Sequence, residues 1–210
     1  MEFRYLGLGE HLADYRATLA EQRRVHALVA SGELPAQVLF VEHAPVYTAG
    51  RRTLPQERPA DGSEVIEVDR GGKITYHGPG QLVGYPIAFV PWKVGVVDYV
   101  RMLEEALIGL LADYGLQGIR VPGRTGVWLD KPQRKIAAIG IRVSHQTTLH
   151  GFALNVSDDL AAFQKIIPCG IDDAGVTSLG RELGETPPLL AVAQRLEPHL
   201  RAALKGRIAG

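Results

Sequence analysis

Cysteine is nearly absent from this sequence of 210 residues, which contains only one, Cys169. A single thiol cannot form an intramolecular disulfide, and it cannot supply the paired cysteines of a CxxC zinc site. The seven histidines show neither HxxxH nor HExxH spacing. The sequence therefore argues against a bound metal ion, and we expect none.

An excess of charge is also absent, because 23 lysines and arginines balance 23 aspartates and glutamates. This balance argues against a nucleic-acid-binding protein and against a basic membrane-surface protein, but it allows a local basic patch. No apolar run approaches the roughly 20 residues that span a bilayer. The start MEFRYLGLGEH lacks the basic-then-apolar order of a signal peptide. We therefore expect a soluble, cytoplasmic protein that does not bind membranes.

Hydrophobic residues make up 46% of the sequence and charged residues 22%, which is enough to bury one substantial core. We expect a single domain covering residues 1–210. The helical spacing of apolar residues predicts longer helices at 11–30, 97–114 and 189–204. Strand-like runs precede and separate these helices, which predicts an α+β fold with a mixed, largely antiparallel sheet packed by helices.

One of the predicted strands, residues 81–90, contains Gly84 and Pro86. Proline cannot donate a hydrogen bond to a neighbouring strand, and glycine inside a strand often marks a bulge. We therefore predict that this strand lies at a sheet edge or contains a bulge.

Cys169 lies in the segment IIPCGIDDAGVTS, between Pro168 and Gly170. Proline favours an extended residue before it and glycine has no side chain, so a rigid, uncrowded turn is expected here. Such a turn suits a nucleophile that a substrate carbonyl must approach. A thiol reacts as the thiolate, however, and near neutral pH it needs a neighbouring base or positive charge. Taken alone, a lone cysteine is more often a small buried hydrophobic residue.

Lys135 is the candidate partner of Cys169. A predicted turn at 130–133 delivers this lysine to the start of an apolar strand, KIAAIGIRV. Burial at that point disfavours the charged form of an amine, and a neutral amine can act as a base. The alternative is that Lys135 extends its ammonium group to water from the mouth of the strand.

Glycines flank a short predicted strand in the segment RGGKITYHGPGQ, residues 70–81, and both turns can expose backbone N–H groups. The segment also fits a plain hairpin. It lacks the GxxxxGK[ST] spacing of a phosphate-binding loop. Small residues in two later strands leave room beside the sheet, either for a thin acyl chain or for close packing of a helix, at positions 137, 138, 140, 151 and 153.

Arg51 and Arg52 end the predicted strand VYTAGRRT. Paired arginines at a strand end are usually solvated surface. The alternative is contact with a substrate phosphate or with an acidic partner protein.

Four segments, in one order, resemble the lipoyl(octanoyl) transferases, the octanoyl-carrier-protein:protein N-octanoyltransferases. The resemblance covers about residues 38–183 and rests on RGGKITYHGPGQLVGYPI, GVWLDKPQRKIAAIGIRV, TLHGFALNV and PCGIDDAGVTSL. It implies the α+β catalytic module shared with lipoate and biotin protein ligases. It also implies transfer of an octanoyl group from octanoyl-acyl carrier protein to a lysine of lipoyl domains, in 2-oxoacid dehydrogenase E2 subunits, or of the glycine-cleavage H protein.

The resemblance also implies roles for individual residues of this sequence. It implies that Cys169 forms the acyl thioester and that Lys135 activates it. The substrate-binding segments fall on Arg70, Gly71, Gly72, Lys73, Ile74, Thr75, Tyr76 and His77, on Ala138, Ile139 and Gly140, and on Gly151, Phe152 and Ala153. Possible supporting residues are Gly78, His150 and Gly170.

Thioester exchange onto Cys169 is nearly balanced in free energy, and aminolysis to an amide runs downhill, so we expect neither ATP nor another cofactor. The neutral amine of Lys135 is expected to take the thiol proton. Three alternatives remain at this point. They are an ATP-dependent lipoate or octanoate ligase, a cysteine hydrolase with His77 or His150 as its base, and a non-catalytic protein that binds lipoyl domains.

Overall fold

The computed structural model describes residues 1–157, 159–166 and 175–208. Cys169 and Gly170 therefore lie outside the described residues. The helices are α1 Tyr15–Ala30, α2 Val96–Asp113, α3 Leu179–Leu183 and α4 Leu189–Leu204. Within the described residues, no helix has the length and hydropathy needed to cross a membrane.

The longer helices confirm the predicted pattern, except at the start of α1. The sequence placed that start at residue 11, but Asp14 is the N-cap, and its carboxylate accepts the backbone N–H of Ala17 at 2.7 Å. Such a cap satisfies a backbone donor that has no partner within the helix. Leu12 had extended the apolar pattern, yet its side chain is 44% exposed and lies before the helix. The predicted start is therefore wrong by one turn.

The strands of the described residues form an eight-stranded sheet and a three-stranded sheet. The large sheet has the order β1-β2-β6-β10-β9-β8-β7, with β11 paired to β9, and the small sheet has the order β4-β3-β5. The bounds are β1 Glu2–Tyr5, β2 Gln37–Val41, β3 Val46–Ala49, β4 Val65–Glu67, β5 Thr75–His77, β6 Gln81–Ile87, β7 Ile119–Val121, β8 Arg124–Leu129, β9 Arg134–Ser144, β10 Thr147–Asn155 and β11 Gly175–Val176.

Most strand pairs are antiparallel. The parallel pairs are β1 with β2, β3 with β4, and β9 with β11. These pairings confirm the predicted α+β fold with a mixed, largely antiparallel sheet. The division into two sheets was not predicted.

The prediction of an edge position for the strand with Gly84 and Pro86 is wrong, because β6 lies between β2 and β10. Its ladder to β10 runs from Gln81 to Gly84 and stops before Pro86. Opposite this point His150 has a φ of 61°, outside the extended region. A central strand accommodates the proline because the ladder to β10 is interrupted where an N–H would be missing.

Successive side chains along each strand point to opposite faces of the large sheet, so the core is divided between these two faces. Phe40, Leu82 and Leu154 pack with α2 and α4 on one face, which is called the α2 face below. Val41 and Val83 pack with α1 on the other, the α1 face. A further cluster joins α1 to the small sheet. The small sheet therefore lies beside α1, and the region between it and the α1 face contains the candidate site.

Candidate active site

Lys135 is a buried amine on β9. Its side chain is 7% exposed, which agrees with the predicted entry into a buried strand. The ammonium nitrogen Nζ lies 4.6 Å from the centroid of the Trp128 ring. Within the described residues this nitrogen has no hydrogen bond or ion pair. The Lys135 nitrogen therefore lies over the indole face in the geometry of a cation–π interaction.

A β-bulge sets the direction of Lys135. Val127 of β8 pairs with Ala137, but the next residue, Trp128, pairs with Lys135, so Ile136 is an extra residue in β9. In a regular strand Lys135 would lie on the α2 face with Ala137, because side chains alternate. The extra residue turns it to the α1 face, where it lines a small cavity with Ala138.

Gly126 makes room for this arrangement. Its φ is 116°, and a Cβ at this position would lie 2.4 Å from the carbonyl oxygen of Ala137 and 3.6 Å from Cε of Lys135. Only glycine tolerates both the dihedral angle and the close approach. Neither Gly126 nor Trp128 was predicted as a site residue, although both lie in the segment GVWLDKPQRK on which the resemblance rests.

The segment that contains Cys169 is anchored on both sides beside Lys135. Downstream, Val176 of β11 pairs with Lys135, and the backbone N–H of Thr177 donates to the Lys135 carbonyl at 2.9 Å. Upstream, Phe163 lies in a 3₁₀ turn over Ala161–Lys165. Phe163 and Val176 line the same small cavity as Lys135. Both described ends of this segment therefore meet at the amine.

The three predicted substrate-binding segments meet around a second cavity of about 50 Å³, called the narrow cavity below. Its wall shares Thr75 and Ala138 with the small cavity at Lys135. The narrow cavity is lined by Tyr15, Arg70, Gly72, Lys73, Thr75, His77, Val83, Tyr85, Ala138, Ile139, Gly140, His150, Gly151, Phe152 and Ala153. The structure thus brings together segments that are far apart in sequence.

Some predicted residues do not face the narrow cavity. Ile74 is fully buried in a cluster with Phe163. Tyr76 packs against the rings of Tyr47 and Phe163. A Cβ on Gly78 would lie 2.2 Å from the Tyr76 hydroxyl oxygen. These residues support the wall of the site from behind.

Two glycines of the predicted segments permit close approach of backbones. A Cβ on Gly140 would lie 3.0 Å from the Gly71 carbonyl oxygen, and the Gly71 N–H donates to the Ile141 carbonyl at 2.9 Å. A Cβ on Gly151 would lie 2.1 Å from the Gly84 carbonyl oxygen. These glycines therefore allow close approach of loop and strand backbones rather than of a helix, and both border the narrow cavity, while the binding of an acyl chain there stays a prediction.

Arg70 ties the glycine-rich segment to the small sheet. One guanidinium nitrogen donates to the carbonyl of Lys73 at 2.7 Å. The other donates to the carbonyl and hydroxyl oxygens of Thr48 at 2.7 and 2.9 Å. Because these bonds are charge-assisted and buried, Arg70 holds the wall of the narrow cavity in place.

Two buried histidines lie at the wall near α1. His77 Nδ1 is 2.7 Å from Gln81 Oε1, and its ring stacks on Tyr15 with centroids 6.0 Å apart. Burial, with a smaller contribution from His43, lowers the pKa of His77 to about 3. Burial likewise lowers the pKa of His43 to about 4. Both rings are neutral at pH 7 and contribute no charge to the site.

These histidines predict a loss of stability in mild acid. An unfolded histidine has a pKa of about 6.5, so below that pH the unfolded chain binds more protons than the folded one. The stabilisation is complete above pH 6.5 and is lost as the pH falls toward 3 or 4, with a slope of up to about 1.4 kcal/mol per pH unit for each histidine. Urea unfolding of wild type and His77→Gln from pH 7.5 to 4.5 should show a shallower slope in the variant. Equal slopes would contradict the buried neutral His77.

His150 and Asp69 form a hydrogen-bonded pair that the sequence did not reveal. His150 Nε2 lies 2.7 Å from Asp69 Oδ1, and Arg142 binds the other carboxylate oxygen. Burial lowers the pKa of His150 more than Asp69 raises it. Burial acts to raise the pKa of Asp69, but the contacts with His150 and Arg142 outweigh it, so the net shift is downward. A neutral His150 therefore donates from Nε2 to an ionised Asp69. Within the described residues, its buried Nδ1 has no hydrogen-bond partner.

A third cavity, of about 500 Å³, lies along the edge of β9 and is called the basic cavity below. The β8 ladder covers β9 only as far as Ala137, which leaves the strand edge at 139–141 to line this space. The opposite wall comes from α2 and from the turn before β8. Lys135 reaches the basic cavity as well as the small one, so the amine lies where the spaces meet. Among the described residues, no cluster of three or more histidine, aspartate or glutamate side chains is arranged to hold a metal ion.

Comparison with known proteins gives the family. The model of the lipoyl protein ligase A/B catalytic domain matches residues 14–201. An octanoyltransferase of Cutibacterium acnes is 55% identical over 214 aligned residues, which cover 95% of this chain and 79% of that protein.

Solved structures agree with the fold. A bi-partite lipoate protein ligase of Thermoplasma acidophilum matches with a TM-score of 0.73 at 15% identity, over 97% of this chain and 82% of that one. A biotin protein ligase of Aquifex aeolicus gives 0.53 at 13%, over 98% and 69%. These two likenesses confirm the predicted module. On the strength of the domain match and the 55% identity, the chain belongs to the lipoyl protein ligase A/B catalytic domain family and is an acyltransferase of its octanoyltransferase group.

Proposed function

We propose that this protein moves an octanoyl group from octanoyl-acyl carrier protein, through a thioester on Cys169, to a lysine amine of a lipoyl domain or of the glycine-cleavage H protein. The observation that carries the proposal is the meeting at Lys135 of the small cavity, the basic cavity and both described ends of the Cys169 segment. A cytoplasmic setting fits this chemistry because acyl carrier thioesters and reduced thiols occur there.

The short span from Ile166 to Cys169 supports a position of the thiol near Lys135. Three peptide units separate Ile166 from Cys169, a span of at most about 11 Å. The Ile166 side chain packs in the same cluster as Phe163, and Phe163 lines the small cavity with Lys135. The short span from Ile166 is therefore compatible with a Cys169 thiol close to Lys135.

The proposed first step transfers a proton and an acyl group. The Cys169 thiol gives its proton to neutral Lys135 Nζ, and the thiolate attacks the carbonyl carbon of the donor thioester. The bond from that carbon to the carrier sulfur breaks, and the carrier thiolate takes back a proton. The Trp128 ring beneath Nζ stabilises the ammonium ion while it exists.

The proposed second step forms the amide. The acceptor lysine attacks the Cys169 thioester as the neutral amine, its excess proton goes to Lys135, and the carbon–sulfur bond breaks. No phosphoryl donor is needed, because the acyl group of a thioester is already activated for transfer to an amine. The narrow cavity is the proposed site of the acyl chain. Its 50 Å³ is the space of one or two water molecules, so side chains along it must move when the chain enters.

Mass spectrometry tests this function. The protein, octanoyl-acyl carrier protein and apo lipoyl domain are mixed without ATP, and we expect one octanoyl group on the lipoyl domain. Without the acceptor, the octanoyl group should remain on the enzyme, and digestion should locate it on Cys169. Cys169→Ala should abolish both products. Modification that requires ATP would instead favour a ligase, and full activity of Cys169→Ala would reject the thioester.

The Asp69–His150 pair favours one rival, a cysteine hydrolase in which a carboxylate orients a histidine base. Such an enzyme would release free octanoate at a rate that the acceptor does not change. His150→Gln would then abolish the reaction, while Lys135→Met would spare it. In the proposed transferase Lys135→Met is the damaging change, and free octanoate accumulates only slowly.

A further inference from the structure

The charged side chains that the structure describes in the walls of the basic cavity are all of one sign. Among the described residues, five basic side chains and no acidic side chain line it, namely Arg52, Lys73, Arg101, Arg124 and Lys135. The chain as a whole carries 23 basic and 23 acidic residues. Two of these five cations form ion pairs, so the described lining keeps a smaller excess of positive charge, and this excess attracts an anionic group toward Lys135.

Arg52 is the basic side chain at this cavity that is most available to a ligand. Lys73 is paired with Glu57, and Arg101 with the fully buried Glu104. The side chain of Arg52 is exposed and forms no hydrogen bond or ion pair within the described residues. Its backbone is fixed, since the Arg52 N–H donates to the Gly72 carbonyl at 3.1 Å. An anion bound by Arg52 would therefore meet a cation whose backbone is already in place.

The remaining wall is partly apolar. Val96 and Val97, at the start of α2, line the cavity and are 53% and 67% exposed, and Ile139 lies opposite. A volume of about 500 Å³ falls in the usual range of small-molecule sites. The ligand that suits these walls is a flexible arm with an anionic group at one end, apolar segments along it and its reactive end at Lys135.

We propose that the basic cavity binds the phosphate-bearing arm of the acyl donor, with Arg52 holding the phosphodiester at the rim and the thioester directed to Lys135. This inference rests on the proposed function and names the part of the donor that is recognised. It also assigns different roles to the adjacent residues Arg51 and Arg52, because Arg52 lines the cavity and Arg51 does not. No bond is made or broken in this binding step.

Three octanoyl thioesters test the proposal, namely those of the carrier protein, of free phosphopantetheine and of pantetheine, which lacks the phosphate. The measured quantity is the ratio of kcat/KM for free octanoyl-phosphopantetheine to that for octanoyl-pantetheine. Arg52→Gln should lower this ratio about tenfold, as expected for a lost charge-assisted hydrogen bond. The matched control is Arg51→Gln, an exposed neighbour, which should keep the ratio within roughly twofold. The carrier protein itself should lose a similar factor in Arg52→Gln.

Two results would overturn the proposal. One is an unchanged ratio in Arg52→Gln. The other is an equal loss in both variants that is confined to the carrier protein, which would indicate general attraction of an acidic partner. Should no acyl-enzyme form with any donor, the proposed function fails, and calorimetry with phosphopantetheine alone still decides this inference. Binding that Arg52→Gln weakens about tenfold and Arg51→Gln spares would support it, and equal binding by all three proteins would reject it.

Discussion

Replacing Lys135 by methionine should slow acyl-enzyme formation by about 10³-fold, the usual contribution of a positioned general base. Methionine keeps the length of the side chain and packs well on the Trp128 ring, so the buried space stays filled. Rapid mixing with an octanoyl thioester, followed by intact-mass measurement, gives the rate of the first step directly. Stability in urea should remain within about 1.5 kcal/mol of wild type.

A second lysine provides the control for this experiment. Lys205 follows α4 and is exposed, so Lys205→Met removes the same charge from a residue that lines none of the three cavities described above. This control should acylate at the wild-type rate. A Lys135→Met protein that folds and acylates equally fast would remove Lys135 from the mechanism and would strengthen the case for His150.

Replacing Gly151 by alanine should lower the free energy of unfolding by about 3 kcal/mol or more. The new Cβ would lie 2.1 Å from the Gly84 carbonyl oxygen and 2.6 Å from Pro86 Cδ. Both groups belong to β6, a central strand that cannot shift without disturbing β2 on its other side. For a chain of this size such a loss corresponds to a fall in Tm of about 10 °C. Urea and thermal unfolding measure both quantities.

Gly175→Ala is the matched control for Gly151→Ala. Among the described residues, a Cβ there would meet Arg134 Cβ alone, at 3.7 Å, an ordinary van der Waals contact. It should unfold at nearly the wild-type urea concentration. Similar midpoints for Gly151→Ala and Gly175→Ala would mean that the two central strands are more loosely packed than described.

Local patterns predicted most helices and strands, because apolar spacing reports which face of an element is buried. The ends of α2 and α4 agree within one residue. Pairing between distant strands leaves no such local mark, so the separate small sheet was not foreseen. The position of β6 was misjudged for the same reason, since the conformation of His150 explains how Pro86 fits a central strand.

The candidate site was predictable to a similar extent. Resemblance identified the segments that line the narrow cavity, whereas the roles of Lys135 and Cys169 stay predictions. The sequence did not reveal which residues contact these side chains. Asp69 and His150 are 81 positions apart, and a sequence of apolar residues does not reveal which of Ile136 and Ala137 is the extra one in a bulge.

The bulge at Ile136 also determines which mutations β9 tolerates. Deleting Ile136 would remove the bulge, and Lys135 would then adjoin Ala137 directly, so strict alternation would keep its side chain on the α1 face. Exchanging Ile136 for another aliphatic residue keeps the count intact and leaves the amine where it is. One residue inserted between Lys135 and Ile136 would instead move the lysine one step along the alternation, to the α2 face. Natural or laboratory selection should therefore accept a deletion or an exchange at this point far more readily than an insertion.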